Sequence, residues 1–146
     1  MVVITEVPAS VDPAALAGKA RDTLCLAWEE RRWTRKRVTT TGGREVALAL
    51  PTGSVLEPGR VIAVEAEWYL AVDARPEPLL AMFPTSFEDA IRLAFEVGNR
   101  HFTLAMEGET LLVPDDPAME QLARRGGVRW ERREAVYAPL GGGPDD

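Results

Sequence analysis

The sequence predicts an α+β protein: a small N-terminal β-sandwich followed by a ferredoxin-like βαββαβ domain. Three features carry that prediction. The first half reads as short strands separated by turn signals, with no helical periodicity. The second half alternates between strand patterns and amphipathic helical stripes. The change of character falls at Ala74-Arg75-Pro76, which sets the expected domains at residues 1–74 and 75–140, with a polar tail over 141–146. A chain of 146 residues has room for two very small domains.

Taken in order, residues 8–20 hold Pro8, Pro13 and Gly18 and form a loose lead-in, while residues 2–7 can add an edge strand. Residues 24–28 and 34–39 are strand-like, with aromatic Trp28 in the first and β-branched Thr34, Val38 and Thr39 in the second. Gly42-Gly43 turns the chain into a strand over 45–50, and Pro51, Gly53 and Pro58-Gly59 punctuate the stretch before the next strand. Residues 61–64 and 68–72 pair as a hairpin across 65–67.

Beyond the junction, residues 79–83 form an apolar strand. Ser86 with Asp89 makes a capping-box pattern for a helix whose stripe Phe87, Ala90, Ile91, Ala94 and Phe95 is expected to be buried. Gly98 is expected to end that helix with φ > 0. Strands over 102–106 and 110–113 come next, hinged at Glu107-Gly108-Glu109. Asp116 with Pro117 supplies the N-cap and first turn of a second helix through Arg124, and Gly126-Gly127 stops it. Residues 128–137 form the last strand, completing β-α-β-β-α-β. The tail Gly141-Gly142-Gly143-Pro144-Asp145-Asp146 is expected to be disordered.

Composition narrows the function. Hydrophobic content of 46% with 27% charged residues is that of a globular protein. No apolar run approaches the ~20 residues of a membrane helix, and residues 1–7 contain Glu6 and no basic region, so a cytoplasmic protein with neither signal peptide nor membrane contact is expected. The lone cysteine, Cys25, excludes an intrachain disulfide and a cysteine-cluster metal site. Flanked by Leu24, Leu26 and Ala27, it reads as a small buried hydrophobe. Residues 75–146 carry 8 basic and 13 acidic groups, which argues against a phosphate-binding surface there. The basic cluster Arg31, Arg32, Arg35, Lys36 and Arg37 lacks a recognition-helix or glycine-rich pattern and reads as the solvated side of a strand, so no nucleic-acid partner is expected. Trp28, Trp33, Trp68 and Trp130 read as packing residues, with Trp28 or Trp33 the alternative candidates for a partner groove.

The only histidine, His101, closes Gly98-Asn99-Arg100-His101 at the corner after the first helix. Alternation along residues 101–106 puts Phe102, Leu104 and Met106 under the helices and His101, Thr103 and Ala105 on the other, open face. One imidazole cannot hold a transition metal tightly. A two-fold dimer doubles it, because an isologous interface repeats each residue across the axis. Imidazole nitrogen suits nickel, zinc and copper, and nearby carboxylates complete such a shell; Glu107, Asp115 and Asp116 are the auxiliary candidates, with Asp116 also the helix cap. Asn99 suits the turn, and Arg100 faces either solvent or a carboxylate across a dimer.

From residue 22 to residue 137 the chain resembles the urease accessory protein E (UreE) family of nickel metallochaperones. The most specific element is Gly98-Asn99-Arg100-His101 after an amphipathic helix. Glu30-Arg31 with Arg35 and Arg37, Gly43-Arg44-Glu45-Val46-Ala47-Leu48, Leu50-Pro51-Thr52-Gly53, and Val72-Asp73-Ala74 with Pro76-Glu77-Pro78-Leu79 support it. The resemblance implies a partner-binding β-sandwich and a ferredoxin-like domain that binds nickel and forms the homodimer. It also implies that His101 is the interface ligand, that zinc or copper can substitute in vitro, and that the protein delivers nickel to apo-urease with an accessory GTPase. Two departures stand out. Asp115, Asp116 and Pro117 occupy the place where many relatives carry another histidine, and the tail lacks their histidine-rich run. Auxiliary nickel storage is therefore not expected.

An enzyme is the contrasting reading, but one histidine, one cysteine and no nucleophile elbow or phosphate loop leave little for catalysis. A third reading is a peptide-binding adaptor of the same fold that binds little or no metal.

Overall fold

The computed structural model describes residues 1–140. The expectation of a disordered tail over 141–146 lies outside the described residues. The chain divides into two compact units, one spanning Met1–Arg75 and the other beginning at Pro76.

The first unit holds two three-stranded sheets. One has the order β1-β4-β3, with β1 (Val2–Ile4), β3 (Arg35–Thr39) and β4 (Glu45–Ala49); the other has the order β2-β6-β5, with β2 (Ala20–Leu26), β5 (Val61–Val64) and β6 (Trp68–Ala74). The edge strand expected near the start is β1, paired parallel to β4. The expected hairpin is β5 with β6, closed by Glu65 N–H donating to the Trp68 carbonyl at 2.8 Å. Alternation along these strands sends Leu24, Leu26, Val46, Leu48, Leu70 and Val72 into one core between the sheets. Cys25 takes the opposite phase on β2 and is exposed, which corrects its reading as a buried residue. The reason is parity: Leu24 and Leu26 claim the inward positions on either side of it.

Asp22 ties the two sheets together. It is buried on β2, and its carboxylate accepts from Thr40 Oγ1, Arg44 Nη1, and the Thr23 and Gly42 N–H groups. Burial works against its charge, but those hydrogen bonds outweigh that penalty and hold the carboxyl well below the usual range. Gly42 has to be glycine for space, since a Cβ there would lie 2.9 Å from both Asp22 oxygens.

The second unit is a four-stranded antiparallel sheet of order β10-β7-β9-β8 with two helices. Its elements run β7 (Glu77–Phe83), α1 (Phe87–Asn99), β8 (Ala105–Glu107), β9 (Thr110–Pro114), α2 (Pro117–Arg125) and β10 (Arg129–Ala135). This is the expected βαββαβ order, with the two β-α-β halves interleaved so that β7 and β9 lie at the centre. Both predicted caps form: Ser86 Oγ accepts from Asp89 N–H at 3.1 Å, and Asp116 Oδ1 accepts from Ala118 N–H at 2.8 Å. The core joins Leu80, Met82, Leu111 and Val113 of the sheet to Leu93 and Val97 of α1 and Met119 and Leu122 of α2.

The buried face of α1 differs from the expected one. Leu93 and Val97 are buried, while Phe87, Ile91 and Phe95 are 84%, 55% and 68% exposed. At about 100° per residue, Phe87, Ile91 and Phe95 sit on one side and Leu93 and Val97 on the other, with Ala90 and Ala94 between them. Periodicity identifies an apolar arc but not which part of it the chain's own sheet covers. The second face of the sheet is also less open than expected, since Leu79, Ala81, Ala105 and Leu112 are buried there.

Candidate functional site

The candidate site is the corner at the C-terminal end of α1. Gly98 and Asn99 lie inside the last helical turn, and Gly98 does not have positive φ. The left-handed position falls instead on His101, at φ 62°, the only non-glycine residue with positive φ among the described residues. The backbone there forms a Schellman closure: His101 N–H donates to the Gly98 carbonyl at 3.0 Å, and Phe102 N–H donates to the Val97 carbonyl at 3.2 Å. Phe102 packs against the core that contains Val97, the apolar contact that accompanies this motif. Glycine is the usual occupant of that left-handed place. A β-substituted residue there is mildly strained, and such strain concentrates at functional positions.

Arg100 pairs with its own helix. Its guanidinium contacts Glu96 Oε2 at 2.5 Å and the Glu96 carbonyl at 3.2 Å. That i,i+4 pair caps the helix end and leaves His101 exposed at the corner, beside the exposed Gly98 and Asn99.

Residues 101–104 are not strand, which corrects the expected start of β8; the strand begins at Ala105. Helix closure takes the N–H groups of His101 and Phe102, which a strand starting there would need. The alternation of sides nevertheless holds. Phe102 and Leu104 pack on the helix-side core, Ala105 is buried on the other face, and Met106, opposite Leu111 on the edge strand, is 57% exposed. Thr103 leads to Tyr137, a residue with no motif around it to single it out. The Tyr137 hydroxyl lies 2.8 Å from Thr103 Oγ1, and Tyr137 is 1% exposed. Burial pushes its phenol up to about 12, against the lowering effect of the Thr103 hydrogen bond. Three residues later, Leu140 N–H donates to the Leu104 carbonyl at 2.7 Å.

The three auxiliary carboxylates have other partners within one chain. Glu107 pairs with Arg133 at 3.3 Å, Asp115 with Arg132 at 3.5 Å, and Asp116 caps α2. Among the described residues, no three histidine, cysteine or acidic side chains gather where they could hold a metal ion. Within one chain, His101 is thus an exposed imidazole at the corner, with an exposed apolar stripe on the helix that leads into it.

Both halves of the chain match family models. The UreE urease accessory protein N-terminal domain matches residues 4–75, and the C-terminal domain of the same family matches residues 77–145. The chain belongs to the UreE family of urease accessory proteins. Urease accessory protein UreE of Synechococcus sp. (strain JA-3-3Ab) is 36% identical over 121 residues, covering 82% of this chain and 81% of that protein. The UreE of Rhodobacter capsulatus is 35% identical over 130 residues, or 89% of this chain and 81% of its own length. That of Ralstonia nicotianae is 33% identical over 135 residues, and the match spans 92% of this chain but only 64% of the longer relative. The UreE family is one of accessory proteins, not of enzymes.

The N-terminal unit carries a separate groove of about 270 Å³ between β2 and β3, lined by Cys25, Trp33, Lys36, Arg37, Val38 and Arg75 among others. Trp33 is half-buried, packs against the sandwich core and has Lys36 Nζ 5.1 Å from its ring centre. Of the two tryptophans considered for a partner groove, it is the one that lines this one. The basic cluster is split: Arg35, Lys36 and Arg37 are exposed on β3, whereas Arg31 is buried and donates to the Leu26 carbonyl at 2.9 Å. Among the described residues, no helix is long and apolar enough to cross a membrane.

Proposed function

We propose that this protein is a cytoplasmic metallochaperone that carries nickel to apo-urease during maturation of the urease metallocentre, acting as a homodimer. The carrying observation is the corner itself. The chain's one histidine is exposed and held in a left-handed conformation at the end of a helix whose outer face presents Phe87, Ile91 and Phe95 to solvent. Joining two copies through that stripe buries apolar surface that the monomer leaves wet, and a two-fold axis near it brings two His101 side chains together.

Two neutral imidazoles make a nitrogen site suited to nickel, with zinc and copper as competitors in vitro. Water or a carboxylate released from its arginine, Glu107 or Asp115, would fill the remaining positions. So sparse a ligand set suits an ion that must be handed on. A role in urease maturation is what family membership supports, and delivery to the apo-urease complex with an accessory GTPase is the partner set proposed for it.

The test is complementation. A urease-expressing cell lacking its own UreE-family gene, grown on limiting nickel, should regain urease activity with the wild-type chain and not with His101→Ala. Equal rescue by both would overturn the assignment of His101. No rescue by either would overturn the delivery function. The groove beside Trp33 favours a second reading, a peptide-binding adaptor; rescue that depends on Trp33 but not on His101 would select it.

A further inference from the structure

The segment after β10 returns to the corner that carries His101. Tyr137 and Leu140 meet residues 103 and 104 through one side-chain and one backbone hydrogen bond, 2.8 and 2.7 Å long. Val97 and Gly98 grip the same loop from the other side, at Phe102 and His101. The five residues from Arg100 to Leu104 are therefore anchored at both ends, and the left-handed His101 lies between the anchors.

We infer that Tyr137 is a positioning residue for His101: by anchoring Thr103 it holds the αL corner closed and presents the imidazole in one preset orientation. A histidine in this conformation is a strained choice, and without the second anchor the loop could relax toward an ordinary extended path. Ligand groups held by supporting hydrogen bonds bind metal more tightly than loose ones, because the ordering cost has already been met by folding. The phenol ring fills a fully buried place, so its packing and its hydroxyl can be separated by substitution.

The positioning role rests on His101 being the nickel ligand, but it has a readout that does not need the metal. With one histidine in the chain, the imidazole ring gives a single set of proton–carbon NMR signals. In the metal-free protein, Tyr137→Phe keeps the ring and removes the hydroxyl; it should shift or exchange-broaden those signals while circular dichroism and dimer mass stay unchanged. Thr103→Val should give the same change, and the double variant should add nothing further. Nickel affinity should fall about tenfold in each. Unchanged imidazole signals in both folded single variants would overturn the positioning role, whatever nickel does. Altered signals with nickel affinity unmoved would uphold the positioning and instead count against His101 as the ligand.

Discussion

At the scale of single residues, the chain accepts a cost at position 101. Glycine would take the same φ without strain, so His101→Gly should raise stability by up to about 1 kcal/mol while removing nickel binding. Thermal unfolding beside a nickel titration checks both halves, and a destabilised His101→Gly would mean the left-handed corner is not strained. Asp22 makes the opposite trade. Its carboxyl is held below the ~3.9 of a free aspartate, so its contribution is complete above about pH 4 and is lost as pH falls through the folded value. Asp22→Ala should cost the N-terminal unit about 3 kcal/mol at pH 7 and flatten the acid limb of its unfolding curve; an unchanged acid limb would contradict the linkage. Local rules made some of these residues legible. Ser86 and Asp116 cap helices two or three positions away, within reach of a sequence pattern. Asp22 was not legible, because Thr40, Gly42 and Arg44 approach it from about twenty residues downstream.

At the scale of elements, α1 is the instructive case. Its apolar residues cover roughly 200° of the helix circumference at 100° per residue, more than one buried face requires. That excess is present in the sequence, and the stripe through Phe87, Ile91 and Phe95 is the part of it that the chain's own sheet leaves uncovered, the face on which the proposed dimer is built. Phe95→Asp should therefore leave the fold intact, since the residue is 68% exposed, while converting a dimer to a monomer in light scattering. A folded dimer carrying this substitution would move the interface elsewhere. The loop after α1 departs from the expected strand for a different reason. Alternation of Phe102, Leu104 and Met106 mimics a strand, but the Schellman closure takes the N–H groups of His101 and Phe102, and Leu140 takes the Leu104 carbonyl. Neither competitor announces itself in a short window of sequence.

At the scale of the whole molecule, the fold class and order of elements were readable because turn residues and helical periodicity are local, and the motif at Gly98-Asn99-Arg100-His101 drew attention to the corner where the metal site is proposed. Beyond reach was the ligand count, which the described residues of one chain do not contain. In the proposed dimer two copies supply it, which makes stoichiometry the decisive quantity. Calorimetric titration of the untagged protein with nickel, with circular dichroism and light scattering as controls, tests this most directly. The account predicts one ion per two chains for the wild type and no specific binding for a folded, dimeric His101→Ala. If that variant binds nickel with wild-type affinity and stoichiometry, His101 is only a corner residue and the metal site lies elsewhere.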